Sequence, residues 1–277
     1  MSIEDARKYY ESFGEREWLR LESPEDGAVE YAVTTCLLEK HLSPRSQVLD
    51  IGGGPGRYTI WLTQRGHRVV LADLSPKLLE IARGKIAEAG VSELVAEITE
   101  ANVCDLSRWG KGDFDVVLCL GPYYHLPNAD DRQTATLEIA RVLRPGGLLF
   151  VAMMPRIGFL RRTLAIPDES RRLREKDFVD QVIEEGVFEN DIPGRFTSGY
   201  GFAPEEVEEF FDEYGFSKIG LYAAEGITIG IQRSLHELAE NDPETYKAAL
   251  DLIVRTADEP SILGMAAHLL YIGRKDH

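Results

Sequence analysis

The apolar run Val48-Leu49-Asp50-Ile51 leads directly into Gly52-Gly53-Gly54-Pro55-Gly56, and a helix-forming stretch starts at Arg57. A strand that enters a glycine turn opening a helix is the first βα unit of an open α/β sheet. Glycine lets the chain reverse tightly and lets the backbone approach a ligand, while the helix N-terminus aims N–H groups at it. The alternation then continues. HRVVLAD reads as a second strand, followed by a helix with Ser75 as its cap and Pro76 at its first position. LVAEITEA, FDVVLCL and GLLFVAM read as the third, fourth and fifth strands, with a helix over residues 131–143. Two more strands, KIGLYAA and MAAHLLYIGRK, bring the count to seven, separated by helices over residues 232–240 and 243–256. This order predicts an α/β fold: a Rossmann-like, doubly wound, mostly parallel seven-stranded sheet.

Around that core, two further segments stand out. Residues 3–21 and 26–41 read as N-terminal helices able to lie across a cleft, before Ser43-Pro44 breaks the pattern. The charged segment from residue 156 reads as a helical lid insertion, and a helix resumes near Pro204. The expected division is a helical cap (1–45), a ligand-binding core (46–155), a lid (156–200) and the C-terminal part of the core sheet (201–277).

The 277 residues are 44% hydrophobic, enough for a substantial core. A formal charge of −16 would repel a phosphate backbone, so neither nucleic acid nor an anionic membrane is an expected partner. No apolar run approaches the roughly 20 residues of a membrane span, and MSIEDARKYY lacks the pattern of a signal peptide. A cytoplasmic location is expected. Cys36, Cys104 and Cys119 are too far apart for a zinc motif, so reduced thiols and no metal are expected.

The acidic residue at the end of the second strand, Asp73, gives the glycine turn its meaning, because a carboxylate there can accept both hydroxyls of a ribose. A nicotinamide or flavin dinucleotide is the rival ligand. Its fingerprint needs a glycine where this chain has Arg57, and Gly56 falls one residue early. Asp50, just ahead of the turn, would repel a pyrophosphate and favour a ligand end that carries an ammonium and a sulfonium.

From Gln47 to Met153 the sequence resembles class I S-adenosylmethionine-dependent methyltransferases. The resemblance implies that VLDIGGGPG wraps the methionine end of the cofactor, with Asp50, Gly52, Gly53, Gly54 and Gly56 as binding residues. It also implies that Asp73 and Leu74 hold the ribose. Asn102, where the family more often has Asp, would accept from the adenine amino group, with Val103 N–H facing the ring and Leu120 bordering the site. S-adenosylhomocysteine is the implied product.

The loop Leu120-Gly121-Pro122-Tyr123-Tyr124-His125-Leu126 looks like the LGPxYHL loop of a group of small-molecule methyltransferases. It lacks the Asp or Asn that amino-directed nucleic-acid methyltransferases place before the Pro-aromatic pair. It also lacks the hard oxygen donors that Mg²⁺ needs. The expected activity is therefore in-line methyl transfer to O, N, S or C of a small molecule. A non-catalytic cofactor sensor, or another group transfer from a related sulfonium, remain alternatives.

His125 is the expected base, and Tyr124 shares the candidate catalytic loop. Tyr123, Tyr124, Tyr10, Trp18 and Arg57 are the expected acceptor-binding residues. Tyr10 and Trp18 would share a helical face over the cofactor, and Arg57 or a lid arginine would hold a carboxylate or phosphate on the acceptor. Phe178, Phe188, Phe196, Tyr200 and Phe202 suggest an apolar pocket wall. His268 reads as structural. Oligomeric state is not legible.

Overall fold

A computed structural model describes residues 3–23, 27–192, 196 and 198–277. The expected helix start at Asp26 and the lid residues 193–195 lie outside the described residues.

Three helices come first: α1 (Ile3–Glu11), α2 (Glu15–Arg20) and α3 (Gly27–His41). The single helix expected over residues 3–21 is broken, because Gly14 adopts φ 53°, a left-handed conformation that ends one helix and redirects the next. The core follows as β1 (Gln47–Ile51), α4 (Arg57–Gln64), β2 (Arg68–Asp73), α5 (Pro76–Glu88), β3 (Val95–Glu100), β4 (Phe114–Cys119), α6 (Ala129–Val142) and β5 (Leu143–Pro155). Ser75 caps α5 by accepting from Leu78 N at 3.2 Å, with Pro76 at the first position as its lack of an N–H permits.

The insertion is less regular than a helical lid. It contains α7 (Arg156–Ala165), α8 (Pro167–Ser170), α9 (Lys176–Asp180) and a π-turn over Gln181–Glu185. A hairpin absent from the sequence reading follows, β6 (Val187–Glu189) and β7 (Ser198–Phe202). The chain then completes α10 (Glu206–Asp212), β8 (Phe216–Ala223), α11 (Gln232–Asn241), α12 (Pro243–Arg255), α13 (Pro260–Leu263) and β9 (Leu269–Lys275).

Seven strands form the expected sheet in the order β3-β2-β1-β4-β5-β9-β8. All pair in parallel except β9, which runs antiparallel to both β5 and β8. The hairpin adds two strands beyond the seven, since β7 pairs with the end of β5 at Met154↔Gly201 and Pro155↔Phe202. Helices cover both faces. Leu37, Leu38, Trp61 and Ile253 pack on one side, and Ala135, Ile139, Val207 and Phe211 on the other. Chain order reverses between β1 and β4, so their carboxyl ends diverge and open a crevice there.

Candidate active site

The crevice at the ends of β1, β2 and β4 holds a cavity. Gly52 and Gly54 form its floor, Asp73, Leu74 and Ser75 one wall, and Asn102 and Val103 another. Gly52 has φ 75°, and a Cβ there would lie 2.5 Å from the ring of Pro122. Only glycine lets the turn after β1 meet the loop after β4 this closely.

Asp73 holds the wall together. Its two oxygens accept from Gly54 N at 2.9 Å and Ser75 N at 2.8 Å, and the side chain lines the cavity. Burial pushes its carboxyl up to about 6. Asp50 sits beneath the glycine turn instead of on the cavity wall. It is 1% exposed, accepts from Thr59 Oγ1 at 2.7 Å, and is likewise raised to about 6 by burial. Gly53 exists for this packing, because a Cβ there would come 2.7 Å from an Asp50 oxygen. Gly56 (φ 84°) also lies off the cavity and caps α4. Asp50, Gly53 and Gly56 thus build the turn from behind.

Asn102 lines the cavity, and its Oδ1 accepts from Cys104 N at 3.0 Å, which fixes the side chain at the mouth. Leu120 lines the far side with Tyr124 and His125. Tyr124 is raised to about 12 by burial, and so stays a neutral phenol. His125 is lowered to about 3 by burial, and its Nε2 lies 2.6 Å from the Tyr10 hydroxyl.

Several expectations are corrected. Tyr123 is wholly buried and its hydroxyl bonds Thr136, so it is a core residue and not a pocket wall. Trp18 does not share a face with Tyr10. The break at Gly14 turns it outward, where it packs beside Ile60 and Leu71 with the Arg57 guanidinium 4.1 Å above its ring. Arg57 also bonds Trp18 O and Glu22, so neither Trp18 nor Arg57 faces the cavity. Phe178 and Phe188 pack inside the insertion, where Phe159 and Phe188 stack at 4.7 Å, and Phe196 joins this cluster to Tyr124 and His125 from behind the cavity. Tyr200 lies over the Arg132 guanidinium, and Phe202 joins the main core. None of these five aromatics lines the cavity.

Residues absent from the sequence reading do line it. Arg7, Glu17 and Arg20 project in from α1 and α2. Arg20 donates to Glu30 at 2.5 and 3.2 Å and to Glu17 at 3.0 Å. Behind Glu30 lies His268, whose Nδ1 is 2.6 Å from Glu225. Burial would lower His268, but the Glu225 carboxylate outweighs it and the net shift is upward. A glutamate on a short helix carries no spacing signal, so only the folded chain reveals this network.

The comparisons with known proteins agree on the core. Residues 49–151 match the methyltransferase domain family. This segment is a class I methyltransferase domain. The chain is 32% identical over 111 residues to the ubiquinone biosynthesis O-methyltransferase of Xanthomonas euvesicatoria, covering 40% of this chain and 44% of that protein. It is also 33% identical over 125 residues to an uncharacterised protein of Mycobacterium tuberculosis, covering 45% and 43% of the two chains. The matches span less than half the length of these relatives. Solved structures show the same fold over far more of the chain. Burkholderia thailandensis 1,6-didemethyltoxoflavin-N1-methyltransferase, with bound 1,6-didemethyltoxoflavin and S-adenosylhomocysteine, has a TM-score of 0.57 and 17% identity. That match covers 100% of this chain and 92% of the other. A methyltransferase of Methanosarcina mazei gives 0.58 at 17% identity, covering 87% and 97%.

The cavity of the methyltransferase domain fits S-adenosylmethionine. The glycine floor leaves room for close approach, and the Asp73 carboxylate and the polar Asn102 both line the space. No helix is long and apolar enough to cross a membrane among the described residues.

Proposed function

We propose that this chain is a methyltransferase that moves the methyl group of S-adenosylmethionine to a nucleophilic atom of a small molecule. The observation that carries the reading is Asp73, a cavity-lining carboxylate at the end of β2, set beside a glycine floor that admits a ligand. Asp73 would hold the ribose hydroxyls, Leu74 would pack near the sugar, and Asn102 and Val103 would flank the adenine. Gly52 and Gly54 would pass beneath the methionine end. Bound there, S-adenosylmethionine supplies an electrophilic methyl group on sulfur that is open to in-line attack.

The chain's own contribution is alignment and exclusion of water. Tyr10 closes over the cavity from α1 and is held to His125 on the opposite wall. His125 is neutral near pH 7, because burial disfavours its imidazolium, and it is therefore a weak proton acceptor. Tyr124, with its phenol stabilised in the neutral form, serves as a wall and a hydrogen-bond partner. The site suits an acceptor that needs little help in losing a proton. A polynucleotide acceptor is disfavoured by the −16 net charge.

Calorimetric titration with S-adenosylmethionine and S-adenosylhomocysteine, repeated on Asp73→Ala, tests the cofactor half of the reading. Release of S-adenosylhomocysteine across a metabolite panel tests the activity. Absence of both binding and release would reject the proposal.

A further inference from the structure

The walls of the cavity beyond the ribose acid are aromatic and, in hydrogen-bonding terms, rich in acceptors. Both cations that line it are already engaged with carboxylates. Arg7 bonds Glu11 at 3.1 Å and lies 3.6 Å from Glu100. Arg20 gives three N–H bonds to Glu30 and Glu17. Glu30 is 9% exposed and also lies beside His268, so its charge is fully occupied in holding α2 to α3 and to the start of β9.

Glu17 is different. Its Oε1 accepts from Arg20, while Oε2 accepts from none of the described residues, and the side chain lines the cavity. Glu17 and Asp131 thus face the space beside Asp73, and among the described residues both lining arginines already have carboxylate partners. A carboxylate or phosphate on the acceptor would meet like charge. An amino group would find a carboxylate oxygen, with the rings of Tyr10 and Tyr124 alongside to attract a cation.

We infer that the free oxygen of Glu17 receives an amino group of the methyl acceptor, so that the acceptor is an amine carried on an apolar or aromatic body, not an acid. The inference rests on the proposed reading of the cavity as a cofactor and acceptor site. It replaces the expectation that Arg57 holds an anionic acceptor. The amino group of the cofactor's methionine end has the same chemistry, so the test must separate the two sources.

Phenethylamine, 3-phenylpropionate and 2-phenylethanol are titrated into protein saturated with S-adenosylhomocysteine, for the natural sequence and for Glu17→Gln. S-adenosylhomocysteine and 5′-methylthioadenosine, which lacks the amino-acid tail, are titrated separately. The amine is expected to bind about tenfold or more tighter than the acid. Glu17→Gln should erase that preference and leave S-adenosylhomocysteine within about twofold, a factor of ten being ~1.4 kcal/mol. Equal binding of acid and amine, or a preference that survives Glu17→Gln, would overturn the inference. So would a tenfold loss of S-adenosylhomocysteine affinity with 5′-methylthioadenosine unchanged, which assigns the oxygen to the cofactor. If the variant does not fold, the amine-against-acid comparison on the natural sequence decides alone. Failure of the natural protein to bind either nucleoside would instead reject the cofactor reading on which the inference stands.

Discussion

The Tyr10 hydroxyl and His125 Nε2 meet at 2.6 Å although 115 residues separate them, joining the first helix to the loop after β4 across the mouth of the cavity. The contact is partly buried, and His125 Nδ1 has no partner of its own among the described residues. Tyr10→Phe removes the bond and leaves both ring nitrogens unpaired. A loss of ~1–3 kcal/mol is expected by denaturant unfolding. Limited proteolysis within the first 23 residues should also accelerate. Unchanged stability together with unchanged cleavage would show that the contact does not tether the segment.

Asp73 titrates in an accessible window. Burial raises it to about 6, so it is ionised above that pH and protonated below it. In the proposed reading, protonation would remove acceptor capacity from the ribose hydroxyls assigned to Asp73. Affinity for S-adenosylhomocysteine should therefore be full near pH 7.5 and decline as pH falls through about 6. Asp73→Asn should weaken binding by ~2–3 kcal/mol at pH 7.5, the usual worth of hydrogen bonds to a charged group, and should flatten the decline. A pH profile that is identical in the variant would place the titration elsewhere, with Asp50 the first candidate.

The approach of Gly52 to Pro122 is a steric constraint. Gly52→Ala adds a methyl 2.5 Å from the proline ring at a φ of 75°. Strain of ~1–3 kcal/mol is expected, read as a lowered unfolding midpoint together with weaker S-adenosylhomocysteine binding. Gly66→Ala is the control, since its φ of 84° is also positive but nothing lies within 4 Å. The control should lose stability without losing affinity.

Arg57→Ala separates the sequence expectation from the folded arrangement. Arg57 stacks on Trp18 and bonds Glu22 on the outside of the cap. The variant should lose ~1 kcal/mol of stability, the order of a partly exposed cation–π pair, while its affinity for S-adenosylhomocysteine stays within about twofold. A much larger drop in affinity would put the guanidinium back in the site.

The insertion is stabilised by its own aromatic core. Phe188→Ala removes a ring that stacks on Phe159 and packs against Phe178. A loss of ~3–5 kcal/mol is expected for a buried Phe, and hydrogen exchange should show it concentrated in residues 156–192.

What the sequence determined by itself is the part of the molecule encoded locally. Alternating apolar strands, the glycine turn after Ile51, the Ser75-Pro76 cap and Asp73 at a strand end are short-range patterns. Backbone geometry translates them directly into βα units and a crevice. Local pattern also gave the succession of the core strands along the chain, while their spatial order came from the folded sheet. Tertiary structure decided everything that depends on which face of an element meets which neighbour. Tyr123 and Tyr124 are adjacent in the chain, yet one bonds Thr136 in the core and the other borders the cavity. Gly14 alone turned Trp18 away from Tyr10. The β6–β7 hairpin, with glycines at 199 and 201 and only short strands, carried too weak an alternation to be read in advance. The Glu17–Arg20–Glu30 network was invisible for a physical reason: charged side chains on helices are ordinarily solvated, and only the packing of α2 against α3 brings these three together.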